Sequence, residues 1–241
     1  MARFRGYGQF CPVAMASEVI SERWTLLLLR ELLYGHTRFN ELKRGVPLMS
    51  PSLLSQRLKQ LEASNIVVRK KPDKGPGWEY HLTESGKQLG PIVIAISSWG
   101  LRWLQHDMPK HNLDSALLMW DMRRSIRPEG APKGRRSVVE FFLPEQPSAK
   151  RRWWVVFYLG EVDICIKDPG YELDLRVQSN LRTLTDLWMG QIGIDQALRD
   201  ETLKLDGSRE QRAAFREWFA LAVVARLPQW PWPEIAQRFA A

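Results

Sequence analysis

Apolar residues recur at helical spacing from near the start of the chain. Val13, Ala16, Val19 and Ile20 share one helix face, with Pro12 suited to the first turn. Over 24–34, Leu26, Leu27, Leu28, Leu29, Leu32 and Leu33 leave almost no polar side, and Gly35 follows, so this helix belongs in a core. Phe39 and Leu42 mark a shorter helix over 38–43, ended by Gly45-Val46-Pro47. Ser50-Pro51 is an N-cap followed by proline at the first helical position, and Leu54, Leu58 and Leu61 then line one face up to Ser64. The period changes at Ile66-Val67-Val68-Arg69-Lys70-Lys71. With the turn composition of 72–77 and the alternation of Trp78-Glu79-Tyr80-His81-Leu82, this predicts a hairpin with a six-residue basic tip. Thr83 then caps a helix with the stripe Leu89, Ile92, Val93, Ile96, Trp99 and Trp103. Pro91 inside that stretch costs about 3 kcal/mol in a straight helix, which predicts a kink or two short helices.

Residues 107–109 form the first plausible boundary. A helix is expected over 114–124, and the proline and glycine density of 127–134 marks a linker or long loop. Strands follow at 137–143, 152–159, 161–167 and 171–177. The close turns at Tyr158-Leu159-Gly160-Glu161 and Asp168-Pro169-Gly170-Tyr171 imply an antiparallel meander. Helices return at 181–188, 196–199 and 209–220, with a last strand at 202–205. The expected fold class is α+β, with a helix-rich domain over 1–109 and an α+β domain over 110–241.

The chain has 241 residues and a net charge of +8. Residues 1–109 hold 15 basic and 9 acidic side chains, or +6, while 110–241 hold 20 and 18, or +2. The excess that suits a polyanionic partner is therefore N-terminal. Cys11 and Cys165 make no disulfide framework, Met1 to Gly6 lacks a signal-peptide apolar run, and the richest apolar stretch, 213–227, is broken by Arg216, Glu217 and Arg226. A cytoplasmic protein with no membrane partner is expected. His36, His81, His106 and His111 fall at no metal-ligand spacing with the cysteines, and no nucleophile elbow or phosphate loop occurs, so no metal, cofactor or catalytic residue is expected.

The order helix, helix, short helix, turn, amphipathic helix, basic hairpin, helix is that of a winged helix-turn-helix. Opposite its leucines, the helix over 50–64 carries Ser52, Ser55, Gln56, Lys59 and Gln60, with Arg57 at the flank, residue types that pair with base edges or phosphates. A solvated helix face is the competing explanation. It does not account for a hairpin with Arg69, Lys70, Lys71 and Lys74 against one acid, Asp73. With Arg38 and Ser50, these residues form the expected contact set for double-stranded DNA.

Cys11-Pro12-Val13-Ala14, Arg23-Trp24-Thr25-Leu26, Leu29-Arg30-Glu31-Leu32, Arg38-Phe39-Asn40-Glu41-Leu42, Ser50-Pro51, Leu54-Ser55-Gln56-Arg57-Leu58, Leu61-Glu62 and Tyr80-His81-Leu82-Thr83-Glu84-Ser85-Gly86 resemble, in order and spacing, the HxlR-type winged-helix transcriptional regulators. The resemblance covers about residues 8–106. It implies a homodimer on a near-palindromic operator, acting as repressor or activator, with recognition helix 50–64 and wing 68–82. The stripe Leu89, Ile92, Val93, Ile96, Trp99 and Trp103 resembles the family's dimerisation helix; packing on its own domain is the alternative. Ser52 departs from the pattern, since that position is often basic in the family. Cys11 stands where many members carry a redox-sensing cysteine, but Arg3 and Arg5 are only sequence neighbours, and free cysteines are so often buried that the structural reading is the favoured one.

In the second half, Trp153-Trp154-Val155-Val156-Phe157, Val162-Asp163-Ile164-Cys165-Ile166, Leu181-Arg182-Thr183-Leu184 and Leu203-Lys204-Leu205-Asp206-Gly207-Ser208 resemble the sterol-carrier-protein-type domain over about residues 113–220. That resemblance implies a five-stranded, mainly antiparallel sheet covered by helices, with an apolar cavity for a small lipid-like ligand. Seven of eleven tryptophans lie here, Trp230 and Trp232 among them, which suits a packed core or an aromatic pocket. Pocket candidates are Trp120, Trp154, Phe157, Leu187, Trp188 and Phe219. The expectation is a bacterial one-component transcription regulator, dimeric and ligand-controlled through its second domain. The alternatives are a lipid carrier whose winged helix makes protein contacts, and a thiol-sensing regulator acting through Cys11.

Overall fold

The leucine runs of the first hundred residues fold around one another. The computed structural model describes residues 6–104, 108–130 and 135–226, of which 223 and 224 by backbone alone. Arg3, Arg5, His106, residues 131–134 of the linker, Trp230 and Trp232 lie outside the described residues. The chain divides into two compact units, Met1–Ser97 and Ser98–Ala241. The division falls inside a helix, before the 109/110 boundary expected from composition.

In the first unit α1 (Pro12–Ile20), α2 (Thr25–Leu33), α3 (Phe39–Gly45) and α4 (Pro51–Ala63) precede a hairpin of β1 (Val67–Lys70) and β2 (Glu79–Leu82). The short α5 (Glu84–Lys87) and the longer α6 (Gly90–Leu104) follow. Leu28, Leu29 and Leu32 of α2 pack with Leu42 of α3, Leu54, Leu58 and Leu61 of α4, and Val93 of α6. Helix α2 starts one residue later than its apolar run, because Trp24 adopts a left-handed backbone with φ 79°. Glu31 is fully buried between Arg30 and His36, each 2.9 Å away, and Gly45 passes so close that a Cβ there would lie 2.1 Å from its carboxyl carbon. A side chain at that crossing would have to displace the Glu31 carboxylate. Pro91 sits in the first turn of α6, where its missing N–H costs nothing, and the stretch expected to kink is split at 88–89.

The second unit opens with α7 (Ser115–Ser125), capped by Asp114, whose Oδ1 accepts the Leu117 N–H at 2.9 Å. Next come β3 (Ser137–Phe142), β4 (Arg152–Tyr158), β5 (Glu161–Cys165), β6 (Leu175–Ser179), α8 (Leu181–Trp188), α9 (Ile194–Arg199), β7 (Leu203–Gly207), α10 (Arg209–Trp218) and α11 (Val223–Arg226). The five strands lie in the order β5-β4-β3-β6-β7. The meander expectation holds for β3, β4 and β5 but fails at the fourth strand. Strand β6 begins at Leu175 rather than at 171 and pairs parallel to β3, with Val139 opposite Leu175. Asp174 is the physical reason: its N–H donates to the Val138 carbonyl at 2.9 Å and its Oδ2 accepts the Val138 N–H at 2.8 Å, docking the chain beside β3. The Asp168-Pro169-Gly170 turn therefore opens a crossover, not a hairpin.

One face of this sheet is the core. Val139, Phe141, Trp153, Val155, Phe157, Leu175, Val177 and Leu203 meet Met119 and Met122 of α7, Leu184 and Leu187 of α8, and Phe215 and Trp218 of α10. Trp218 is buried against Phe215, Phe157 and Phe141, with ring centroids 5.0, 5.1 and 6.3 Å away. Strand alternation puts Val138, Glu140, Trp154, Val156 and Arg176 on the opposite face. There the buried Glu140 carboxylate binds both the Arg152 and the Arg176 guanidinium.

Candidate nucleic-acid interface

Helix α4 owes its position to its leucines and its start to Ser50. The Ser50 hydroxyl accepts the Leu53 N–H at 3.2 Å, and Pro51 occupies the first turn. With Leu54, Leu58 and Leu61 buried, the helix leaves Ser50, Ser52, Ser55, Gln56, Lys59 and Gln60 exposed, as the polar side of its pattern requires. Arg57 does not join them. Its side chain is 9% exposed and its Nη2 bonds Glu22 Oε2 at 3.1 Å, so the expected flank contact is corrected to an internal ion pair. A leucine-flanking arginine can swing either way, and the acid that decides it lies between α1 and α2, outside any periodic pattern.

The hairpin is built out from the same core. Val67 is buried beside Leu82, while Arg69 and Lys70 stand opposite Tyr80 and Glu79. Tyr80 donates its N–H to the Thr37 carbonyl at 2.8 Å, and Arg38 bridges to Glu79, adding a third short extended segment to the ribbon. Burial pushes the Tyr80 phenol up, with Arg69 opposing and Glu62 assisting. Arg38 is placed as a strut: its Nη2 donates to the Lys74 carbonyl at 3.0 Å and its Nε lies 3.4 Å from Glu79. The tip turns through Gly75 and Gly77, whose φ values of 85° and 103° are costly for any other residue. Arg69, Lys70, Lys71 and Lys74 are all exposed. The Arg69 guanidinium stacks 4.3 Å from the Trp78 ring and the Lys71 ammonium lies 5.2 Å from it. Trp78 was readable from sequence only as one member of an alternating strand. Its role as a platform for two cations depends on the register of the hairpin.

A family model described as HxlR-like helix-turn-helix matches residues 19–108. The uncharacterized HTH-type transcriptional regulator YvaP of Bacillus subtilis is 39% identical over 98 residues, 40% of this chain and 91% of the relative. The chain belongs to the HxlR-like helix-turn-helix family. An uncharacterized HTH-type transcriptional regulator of Methanothermobacter thermautotrophicus is 36% identical over 97 residues, covering 40% of this chain and 74% of the relative. Among solved structures, that of the redox regulator HypR in its reduced form is 35% identical, with a TM-score of 0.37 over 41% of this chain and all of that one.

Within this HxlR-like unit, Leu89 and Val93 of the expected dimer stripe pack on the domain's own core. Ile92, Ile96, Trp99 and Trp103 are exposed, the last at 61%. The stripe thus separates into an inward edge and an uncovered face. Cys11 is half-buried at the N-cap position of α1 and makes no side-chain capping bond.

In the second unit the six pocket candidates do not converge. Phe157, Leu187 and Phe219 are buried members of the core, Phe219 stacked 5.0 Å from Phe215. Trp188 packs against that core from its rim, its Nε1 donating to Ser125 Oγ at 3.4 Å. Trp154 lies on the opposite face of the sheet, three residues from Phe157 and so of opposite strand parity. Trp120 is half-buried on α7 beside Arg123. The expectation of one lining made from all six is corrected: hydrophobic composition cannot distinguish the two faces of a strand whose both sides carry tryptophan. Among the described residues no cluster of metal-ligating side chains occurs and no helix is long and apolar enough to cross a membrane.

Proposed function

We propose that this chain is a sequence-specific, DNA-binding transcriptional regulator that works as a homodimer. The observation that carries the reading is one compact unit that exposes both the polar, acid-free side of α4 and a hairpin bearing Arg69, Lys70, Lys71 and Lys74. In this arrangement α4 enters the major groove, its Ser50, Ser52, Ser55, Gln56 and Lys59 facing the DNA, while the hairpin follows the phosphates. Arg38 contributes by holding the wing. The uncovered Ile92, Ile96, Trp99 and Trp103 bury against a second copy, setting two recognition helices about 34 Å apart for a near-palindromic site. The second unit serves as the regulatory half, and a small apolar ligand there enters between sheet and helices near Phe157, Leu187 and Phe219.

Fluorescence anisotropy with labelled promoter fragments across a salt series tests the regulator reading. Affinity falls steeply with salt in the native chain. Absent or salt-independent binding overturns the proposal. Native mass spectrometry of the purified protein tests the ligand, with a bound apolar molecule as the expected finding and a bare chain the contrary one.

A further inference from the structure

We infer that Gln56 reads an adenine of the DNA site, and that the base-facing end of α4 holds no guanine-reading cation. The inference rests on the regulator reading above. In a helix-turn-helix the N-terminal residues of the recognition helix approach the base edges. Here the exposed polar positions within the first turns of the helix are Ser52, Ser55 and Gln56. The single arginine of the stretch, Arg57, is withdrawn into its ion pair with Glu22 at 3.1 Å. The Ser52 hydroxyl lies 3.1 Å from the Ser50 hydroxyl that caps the helix, so both serines are engaged in holding the helix start. Gln56 carries no side-chain hydrogen bond among the described residues, and it is the longest side chain left facing outward in the first two turns.

The chemistry of the bases then decides between readings. In the major groove guanine offers two acceptors, N7 and O6, and is matched by a group that only donates, as arginine does. Adenine offers an acceptor at N7 and a donor at N6, and needs one group that donates and accepts together. The glutamine carboxamide is such a group, with an NH2 and a carbonyl side by side. Lys59 lies three residues on, about 4.5 Å farther along the axis, toward the end of the helix that meets phosphate.

Selection of binding duplexes from a randomised DNA library by the full-length chain provides the test. One position of the selected site carries adenine, with a preference of about tenfold or more. That preference flattens in Gln56→Ala and moves to guanine in Gln56→Arg, while the other positions keep their profile. In a second measurement, 7-deaza-2′-deoxyadenosine replaces the selected adenine and removes its N7 acceptor. Affinity of the native chain falls about tenfold and that of Gln56→Ala does not change. A selected site that is the same in Gln56→Ala, or a native affinity indifferent to the deaza base, overturns the assignment and leaves the regulator reading standing. Retention of no duplex by the native chain overturns both.

Discussion

Gln56 and Arg57 are consecutive on α4 and end in different environments. The 3.6-residue period identifies the leucine face without ambiguity, but a residue at its edge is assigned by whichever partner its side chain reaches. Glu22 supplies that partner for Arg57. Arg57→Ala therefore lowers stability by about 1 kcal/mol, the cost of lost packing and of a part-buried hydrogen bond to a solvent-screened glutamate, without changing the salt dependence of DNA binding. Gln56→Ala leaves stability within about 0.5 kcal/mol, as substitutions at exposed positions do. Urea unfolding of the two variants reads the contrast, and equal losses would contradict the placement of Arg57.

Asp114 illustrates how a sequence signal becomes an electrostatic one. It opens the stretch expected to be helical; in the structure it stands just ahead of the helix as its N-cap, and Lys150 Nζ lies 2.9 Å from its Oδ2. Burial works to raise this carboxyl, but the Lys150 and Leu117 hydrogen bonds outweigh it and hold the group below the ordinary aspartate range. A carboxyl depressed in the folded state stabilises the fold above its unfolded pKa and loses that contribution as pH falls through the folded value. Asp114→Asn then costs most near neutral pH and progressively less in acid, where the native group is itself protonated. Thermal unfolding midpoints against pH check the sign; a gap that widens in acid would contradict it.

At the scale of elements, local pattern finds the longer helices and the three strands of the antiparallel meander, and misses the four-residue α11. It was insufficient where pairing is non-local. Strand β6 has the composition expected of a strand, but its start and its parallel partner depend on Asp174 meeting Val138, 36 residues earlier. A turn sequence reports where the chain bends and not which strand the next segment joins. On the other side of β3, Glu140 is an apparent error in an apolar run until Arg152 and Arg176 are placed on either flank. The two arginines are half-exposed and can be solvated alone, whereas the carboxylate cannot. Arg152→Ala with Arg176→Ala costs about 3 kcal/mol or more, and Glu140→Gln less, by chemical denaturation. Helix α6 follows the same rule in reverse. Its periodicity gives one stripe, and only the core of the first unit reveals that Leu89 and Val93 are taken while Ile96 and Trp99 are open. Ile96→Glu with Trp99→Glu yields a folded monomer by sedimentation velocity; a dimer unaffected by these charges would place the interface elsewhere.

For the whole molecule the distribution of charge is the property that composition conveyed and the structure localises. The excess of 1–109 over 110–241, +6 against +2, resides in part on one hairpin whose cations are exposed, two of them, Arg69 and Lys71, against Trp78. Several cations of the second unit are committed to acids, Arg135 to Asp174, Arg152 and Arg176 to Glu140, and Arg216 to Asp195, whereas among the described residues of the hairpin only Arg69 has a carboxylate nearby, Glu62 at 3.8 Å. Counterion release depends on which cations reach phosphate, not on how many the chain contains. Replacing Arg69, Lys70 and Lys71 together with alanine should flatten the plot of log affinity against log salt by about 2 to 3, roughly 0.9 for each phosphate no longer neutralised. Replacing Arg209 and Arg212, exposed on α10, should leave that slope unchanged. Trp78→Ala falls between the two, because it keeps the charges but removes the ring that orders Arg69 and Lys71, so affinity drops while the slope is preserved. Anisotropy titrations of the three variants at four salt concentrations separate these outcomes, and a slope that responds equally to the α10 pair would show that the second unit, too, lies on the DNA.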